Sequence, residues 1–382
     1  MPGSEQESTT EQDATANAQA QPEVAPSDQP APKKKKRRKS AERIQSPLYK
    51  YVLIPILWEI YKLFRITVDR MEPDQVYMVM RSIALVAWYV SREHRLRAIR
   101  NLEICFGDQY TPKERYRIAK ASHQHFVLGA TDLFLLQRYY QNDKWRKYVT
   151  VTPEMERWAE ELTDYEGSVA FHTGHIGSWE LTAGLAGLMG KKLNMVYRPL
   201  DIPQFQTELH RLRTYWGNEA YTKQGALRGY TKTLRSGGWL GVIADQNAGR
   251  GAAFLNFFGV PASTEVSYFK LYQRFQPRVL GIFGFREGFK FKFHFEGFFE
   301  GYVDPNADEV EEALRLGQWY NDLMEKMARK YPEQYLWSHK RFAARPGDAP
   351  KFYEDLGRPL RPELLAAQPK APIPPRKAQR NA

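Results

Sequence analysis

From residue 48 the hydrophobic pattern is helical. In LYKYVLIPILWEIYKLFRITVDR (48–70), Glu59, Lys62, Arg65 and Asp69 recur at steps of three, three and four. That spacing gathers the charges on one helical face and leaves Leu, Ile, Val, Trp, Tyr and Phe on the rest. A bilayer span needs about 18–20 consecutive, largely apolar residues, and these charges interrupt too often. The stretch reads as an amphipathic helix in a membrane interface, kinked at Pro55, or as a helix packed on its own domain. Residues 76–140 continue in helical pattern. The second part of this run opens with Thr111, Pro112 and Glu114, a capping box with proline at the first helical position.

After about residue 165 the period switches repeatedly. SVAFHT, KLNMVYR, WLGVIADQ, PRVLGIFGFREG and FKFHFEGFF read as strands. SWELTAGLAGLMG, IPQFQTELHRLRTYWG, ALRGYTKTLRSG, STEVSYFKLYQRF and EVEEALRLGQWYNDLMEKMARKYP read as helices. This alternation predicts an α/β fold with a central, largely parallel sheet flanked by helices, preceded by the helical membrane-associating region. In such sheets ligands sit beyond the carboxyl ends of the strands.

Composition sharpens the boundaries. Of 382 residues, 42% are hydrophobic and 14% aromatic, enough for a sizeable core. Residues 1–32 carry six acids, no base and almost no large apolar side chain, so they cannot offset their ordering entropy. Residues 33–39 (KKKKRRK) follow as seven bases. The net charge of +12 divides into +1 for 1–43, +4 for 344–382, which holds eight of 24 prolines, and +7 for the rest. The organisation is then a disordered 1–43 tail with a basic block, a membrane-associating helix in 44–75, a main domain in 76–343 and a proline-rich tail in 344–382. No secretory signal opens the chain. The basic block suits an anionic membrane surface, a nuclear localisation signal or a nucleic-acid arm. The single cysteine, Cys105, excludes an intrachain disulfide framework, a thiolate zinc site and a CxxC redox motif.

No GxSxG, GxxxxGK[ST], HExxH or GxGxxG occurs. FHTGHIGSWEL (171–181) stands at a strand end running into a helix. His175 precedes Glu180 by five positions, and Gly174 and Gly177 leave the backbone room for a substrate. A histidine oriented by a carboxylate is a general base that can activate a hydroxyl for attack on a carbonyl. A loop histidine beside an ordinary glutamate in the first helical turn fits the same pattern. His172 and His175 form an HxxH pair without a third ligand, so no metal is expected. Arg198, Asp245 and Gln246 end two further strands, and the strand-end rule brings them to the edge that carries His175.

HTGHIGSWEL, VYRPL, ADQN, FFGVPAST and YPEQYLWSHKRF, in this order, resemble the late acyltransferases of lipid A biosynthesis. These lauroyl and myristoyl transferases belong to the lysophospholipid acyltransferase superfamily and are grouped with mycobacterial phosphatidylinositol mannoside acyltransferases. The resemblance covers roughly residues 50–343. It implies an O-acyltransferase of the HxxxxE type, with His175 as catalytic histidine and Glu180 as its acidic partner. It further implies substrate contacts from Gly177, Ser178, Arg198, Asp245, Gln246, Phe258 and Gly259. The donor would be an acyl thioester of acyl carrier protein or coenzyme A, and no cofactor is expected. The acceptor would be a hydroxyl of a (glyco)lipid such as a lipid A precursor, at the cytoplasmic face of a bacterial inner membrane. Ser178 stands where the family commonly has Asn, and TEVSYFKLYQRF replaces a glycine-containing helix start. Both departures leave the acceptor open, a phosphatidylinositol mannoside or ornithine lipid included. Backbone N–H groups near Gly177, or Arg198, would meet the oxyanion, and Arg198 and Arg250 would meet acceptor phosphates. A nucleic-acid-binding protein is the reading from another class. It is disfavoured because the basic run lies outside the body. A scaffold of the same fold without activity is the third.

Overall fold

The computed structural model describes residues 46–375 except 140, 216, 223 and 224. The acidic segment, the basic block and the last seven residues lie outside the described residues.

Four helices come first: α1 (Ile54–Arg70), α2 (Pro73–Val90), α3 (Arg92–Phe106) and α4 (Pro112–Tyr139). A π-helical turn, Tyr49–Leu53, leads into α1. It stands where Pro55, which has no N–H, disturbs the ordinary α-helical bonding. The first part of the run after residue 76, YMVMRSIALVAWYVSREHRLRAIRNLEICF, reads as one helix in sequence but is two in the structure, α2 and α3. The backbone leaves helical geometry at Ser91 (ψ 67°), and Arg95 donates to the freed carbonyls of Trp88 and Tyr89 at 2.7 and 3.1 Å. The expected capping box is present: the Thr111 N–H donates to Glu114 at 2.8 Å, and the Glu114 N–H to Thr111 Oγ1 at 3.3 Å.

The alternating part contains β1 (Val149–Thr150), α5 (Pro153–Asp164), β2 (Val169–Thr173), α6 (Trp179–Leu188), β3 (Leu193–Tyr197), α7 (Pro203–Arg213) and β4 (Glu219–Thr222). It continues through α8 (Ala226–Arg235), β5 (Trp239–Ile243), β6 (Ala253–Phe257), β7 (Val260–Thr264), α9 (Phe269–Phe275), β8 (Arg278–Arg286), β9 (Phe293–Gly301) and α10 (Glu309–Lys330). Seven strands form one sheet in the order β1-β9-β8-β2-β5-β3-β4. Its pairs are parallel apart from the antiparallel β8–β9 pair, so the α/β expectation holds. The helix expected from residue 263 starts later. Ser263 and Thr264 belong to β7, which pairs with β6 in a separate hairpin.

Strand side chains alternate between two cores. Ala170, Leu240, Val242 and Val279 pack with α8, α9 and α10, whereas Val169, Phe171, Trp239 and Leu280 pack with α2, α4 and α6. Val68 of α1 joins the second core beside Val76 and Tyr77, so α1 is tied to the body on one side. Its other side is open: Ile56, Ile60 and Leu63 are exposed, with Leu53 of the turn that leads into it, as are Val79, Ile83, Val86 and Val90 of α2. Among the described residues no helix is long and apolar enough to cross a membrane.

The proline-rich segment is no loose tail as far as residue 375. Arg100, buried in α3, donates to the carbonyls of Phe352 and Arg358 and to the Asp355 carboxylate at 2.6–2.8 Å. Phe352 is fully buried, and Ile373 exchanges backbone bonds with Phe254 at 2.8 and 2.9 Å. Arginine and backbone hydrogen bonds supply here the anchoring that composition alone does not reveal.

Candidate active site

β2, β5 and β3 are neighbours and parallel, so their carboxyl ends open on one edge. Thr173 is level with Ile243, and in the register of β3 with β5 Arg198 falls level with Ala244. The loops carrying His175, Asp245, Gln246 and Arg198 therefore leave the sheet together, as the strand-end rule predicts.

The loop after β2 is held in place by the chain's last motif. The His175 carbonyl accepts from Leu336 N–H, and the Gly177 N–H donates to the Gln334 carbonyl, both at 3.0 Å. Gly177 has φ +59°, and a Cβ there would lie 2.0 Å from the Gly284 carbonyl oxygen, so only glycine fits. A Cβ on Gly174 would strike Met324 and approach the Asp245 carboxylate.

Asp245 is almost fully buried, and both its oxygens bind the same residue. Oδ1 lies 2.7 Å from His175 Nδ1, and Oδ2 accepts the His175 backbone N–H at 2.9 Å. An ionised carboxylate only accepts, so Nδ1 carries the proton and Nε2 holds the lone pair. Burial opposes protonation of His175, but the Asp245 charge more than offsets it, and its pKa lies above the ordinary value. Burial likewise opposes ionisation of Asp245, and the His175 contacts more than offset it, so its pKa lies below the usual value. Basic imidazole and ionised carboxylate are thus mutually consistent.

The orienting bond expected from Glu180 is made by Asp245 instead. Glu180 is buried at the start of α6 and accepts from Trp179 Nε1 at 3.1 Å and from Arg213 Nη2, at the end of α7, at 2.7 Å. Arg213 itself lies over the Tyr197 ring. Five residues of spacing bring Glu180 into the neighbourhood of His175, but its charge is matched by an arginine 33 positions away in sequence.

The other expected site residues fall in three groups. Gln246 is at the base: its side-chain Nε2 lies 3.4 Å from His175 Nε2. Arg198 is exposed with no ion pair among the described residues, two strands from His175, a distance of about 10 Å. Arg250 is exposed as well. Ser178, Phe258 and Gly259 lie elsewhere than expected. Ser178 is fully buried and donates to Asp132 at 2.5 Å. Asp132 also accepts from Tyr77 and from Arg286, which in turn donates to the Gly177 carbonyl at 2.9 Å. Ser178 thus ties the histidine loop to a buried ion pair. Phe258 and Gly259, with φ +54° and +75°, form the two-residue turn between β6 and β7. That turn is the far end of a hairpin whose open end, at Ser263, meets the Gln246 loop through Arg341. Along the strands the separation is about 15 Å. The backbone donors expected near Gly177 are also occupied: Ile176, Gly177 and Ser178 donate to Gly174, Gln334 and Gly284 at 2.7–3.0 Å. His172 points into the aromatic core, bonded to the Tyr272 hydroxyl at 3.0 Å, and burial pushes its pKa down to about 3.

The pattern reading did not single out His339 and Arg341. His339 Nε2 accepts the Asn247 N–H at 3.0 Å, and burial lowers its pKa to about 4, keeping it a neutral acceptor. Buried Arg341 donates to the Gln246 and Ser263 carbonyls and to Thr264 and Asn321. Both lie in YPEQYLWSHKRF, the block quoted for the resemblance, which was the available signal.

Comparison with known proteins supplies the family. The family described as bacterial lipid A biosynthesis acyltransferase matches residues 47–344. A lipid A biosynthesis lauroyltransferase of Escherichia coli is 25% identical over 257 residues, covering 66% of this chain and 80% of that one. A lipid A biosynthesis acyltransferase of Haemophilus influenzae is 27% identical over 264 residues, 67% and 80% of the two chains. A lipid A biosynthesis palmitoleoyltransferase of E. coli is 25% identical over 286 residues, 74% and 89%.

Proposed function

Because the chain belongs to the bacterial lipid A biosynthesis acyltransferase family, it is an acyltransferase acting on lipid A precursors, and we propose that His175 is its general base. The observation that carries this reading is the double grip of Asp245 on His175, which fixes the proton on Nδ1 and leaves the lone pair on Nε2, met only by the exchangeable Gln246 amide at 3.4 Å among the described residues. Nε2 takes the proton of the acceptor hydroxyl as its oxygen attacks the carbonyl of an acyl thioester, carried by acyl carrier protein or coenzyme A. The intermediate collapses and the thiolate leaves with that proton. Asp245 holds the tautomer and stabilises the imidazolium, work of the kind that makes a base worth about 10²–10⁴ in rate. Glu180 acts one contact away, through Trp179, whose indole N–H it accepts and whose ring packs 5.5 Å from the His175 imidazole. Arg198 and Arg250 are exposed cations without an ion pair among the described residues, suited to acceptor phosphates.

We place the enzyme on the cytoplasmic face of the inner membrane, as a peripheral protein. The exposed apolar stripes of α1 and α2 support this. Each fully buried aliphatic side chain is worth about 1.5–3 kcal/mol, so eight along two helices and the turn before them make a strong lipid contact. The test is mass spectrometry of lipids from deletion cells complemented with wild type or His175→Ala. Restoration of one acyl chain on the lipid A precursor by wild type alone is expected; restoration by both would overturn the assignment.

A further inference from the structure

A tetrahedral intermediate needs hydrogen-bond donors aimed at its oxyanion. The backbone groups that the histidine loop would offer are spent. The N–H of His175 goes to Asp245, and those of Ile176, Gly177 and Ser178 go to carbonyls. Arg198 stands two strands away. Among the described residues one side-chain donor reaches the basic nitrogen itself: the Gln246 amide, 3.4 Å from His175 Nε2.

We propose that Gln246 is a catalytic residue whose side-chain amide donates to the thioester carbonyl oxygen as it becomes an oxyanion. This rests on His175 acting as the base. With no acceptor bound, the amide lies against the Nε2 lone pair. An incoming hydroxyl takes that place, and the released N–H remains about one hydrogen-bond length from the reacting atoms. The acceptor proton passes to Nε2, the hydroxyl oxygen bonds to the carbonyl carbon, and the C=O π pair moves onto oxygen, where Gln246 meets it. When that pair re-forms the carbonyl, the C–S bond breaks and the thiolate takes the proton from Nε2, giving ester and thiol.

The loop is built to hold such a donor still. The Gln246 carbonyl accepts from Arg341 at 3.3 Å, and Asn247 donates to His339 at 3.0 Å and accepts from the Ala344 N–H at 2.9 Å. The Ala248 N–H is bonded to Ser263. Preorganisation of this kind means that little reorganisation is needed when charge develops.

The test uses the purified full chain in detergent micelles with a lipid A precursor and the lauroyl thioesters of both carrier protein and coenzyme A. Wild type, His175→Ala, Gln246→Ala and Gln246→Met are compared, the last being close in size but no donor. Both Gln246 variants should lose about 10²–10³-fold in kcat with KM for the donor within about threefold. The acid limb of the pH profile should stay in place. Activity within threefold of wild type in Gln246→Met would overturn the proposal, as would a loss accompanied by a shifted limb, since Gln246 would then merely tune His175. Full activity in His175→Ala would instead remove the base assignment on which the proposal rests.

Discussion

Asp245 and His175 are joined twice, side chain to side chain at 2.7 Å and carboxylate to backbone N–H at 2.9 Å, across 70 residues of sequence. The second bond fixes the loop as well as the ring, so the imidazole has little freedom to swing away.

This pair sets the expected pH dependence. His175 works as a base only when neutral, and its pKa lies above the ordinary value, so activity should fall with acid from above about pH 6.5. Asp245→Asn removes the charge that raises that pKa. The acid limb should move to lower pH while kcat drops on the order of 10²–10⁴-fold. In Glu180→Gln, which removes a smaller favourable charge, the limb should move the same way but by less. A shift in Glu180→Gln and none in Asp245→Asn would return the orienting role to Glu180.

Glu180 and Arg213 form a largely buried pair, so the two should be coupled in stability. Glu180→Gln strands a cation and Arg213→Gln strands an anion. The double variant should recover part of the loss, with an interaction energy of about 0.5–3 kcal/mol in denaturant unfolding. Strict additivity would mean that the pair contributes nothing.

The Asp132–Arg286 pair is fully enclosed, and Tyr77 and Ser178 add further bonds to it. Arg286→Met leaves an unpaired buried carboxylate and should cost about 3–5 kcal/mol, read as a lowered unfolding midpoint. Ser178→Ala removes one hydrogen bond to a charged group and should cost about 1.5–3 kcal/mol, with donor KM unchanged. A raised KM without destabilisation would restore Ser178 as a substrate contact.

Gly259 offers a simple check on the hairpin turn. An alanine there meets no atom within 4 Å but must adopt φ +75°, a left-handed conformation that costs about 1–2 kcal/mol. Gly259→Ala should lower stability by that amount and leave kcat and KM as they are. A change in KM would place the turn at the substrate.

The exposed stripe of α1 predicts lipid affinity. Ile60→Glu and Leu63→Glu sit on the open side of the helix, so folding should be unaffected. Flotation with anionic vesicles should fall severalfold for the double variant. Unchanged flotation would assign membrane contact to another surface.

Much of this was legible along the chain because it depends on neighbours in sequence. The period changes announce an α/β sheet, and Thr111 and Glu114 cap α4 from three residues apart. Parallel strands put their carboxyl ends on one edge, which is why residues 175, 198 and 245 could be grouped before any contact was known. The tertiary structure decided which acid serves the histidine. Local spacing brings Glu180 near His175, but Arg213 arrives from another helix and bonds it, while Asp245 arrives on the adjacent strand with both oxygens at the imidazole loop. It also decided that Ser178 faces a buried ion pair and that residues 344–375 are strapped to the body by arginines. A buried charge needs a partner in space, and sequence spacing does not say which chain segment will bring it.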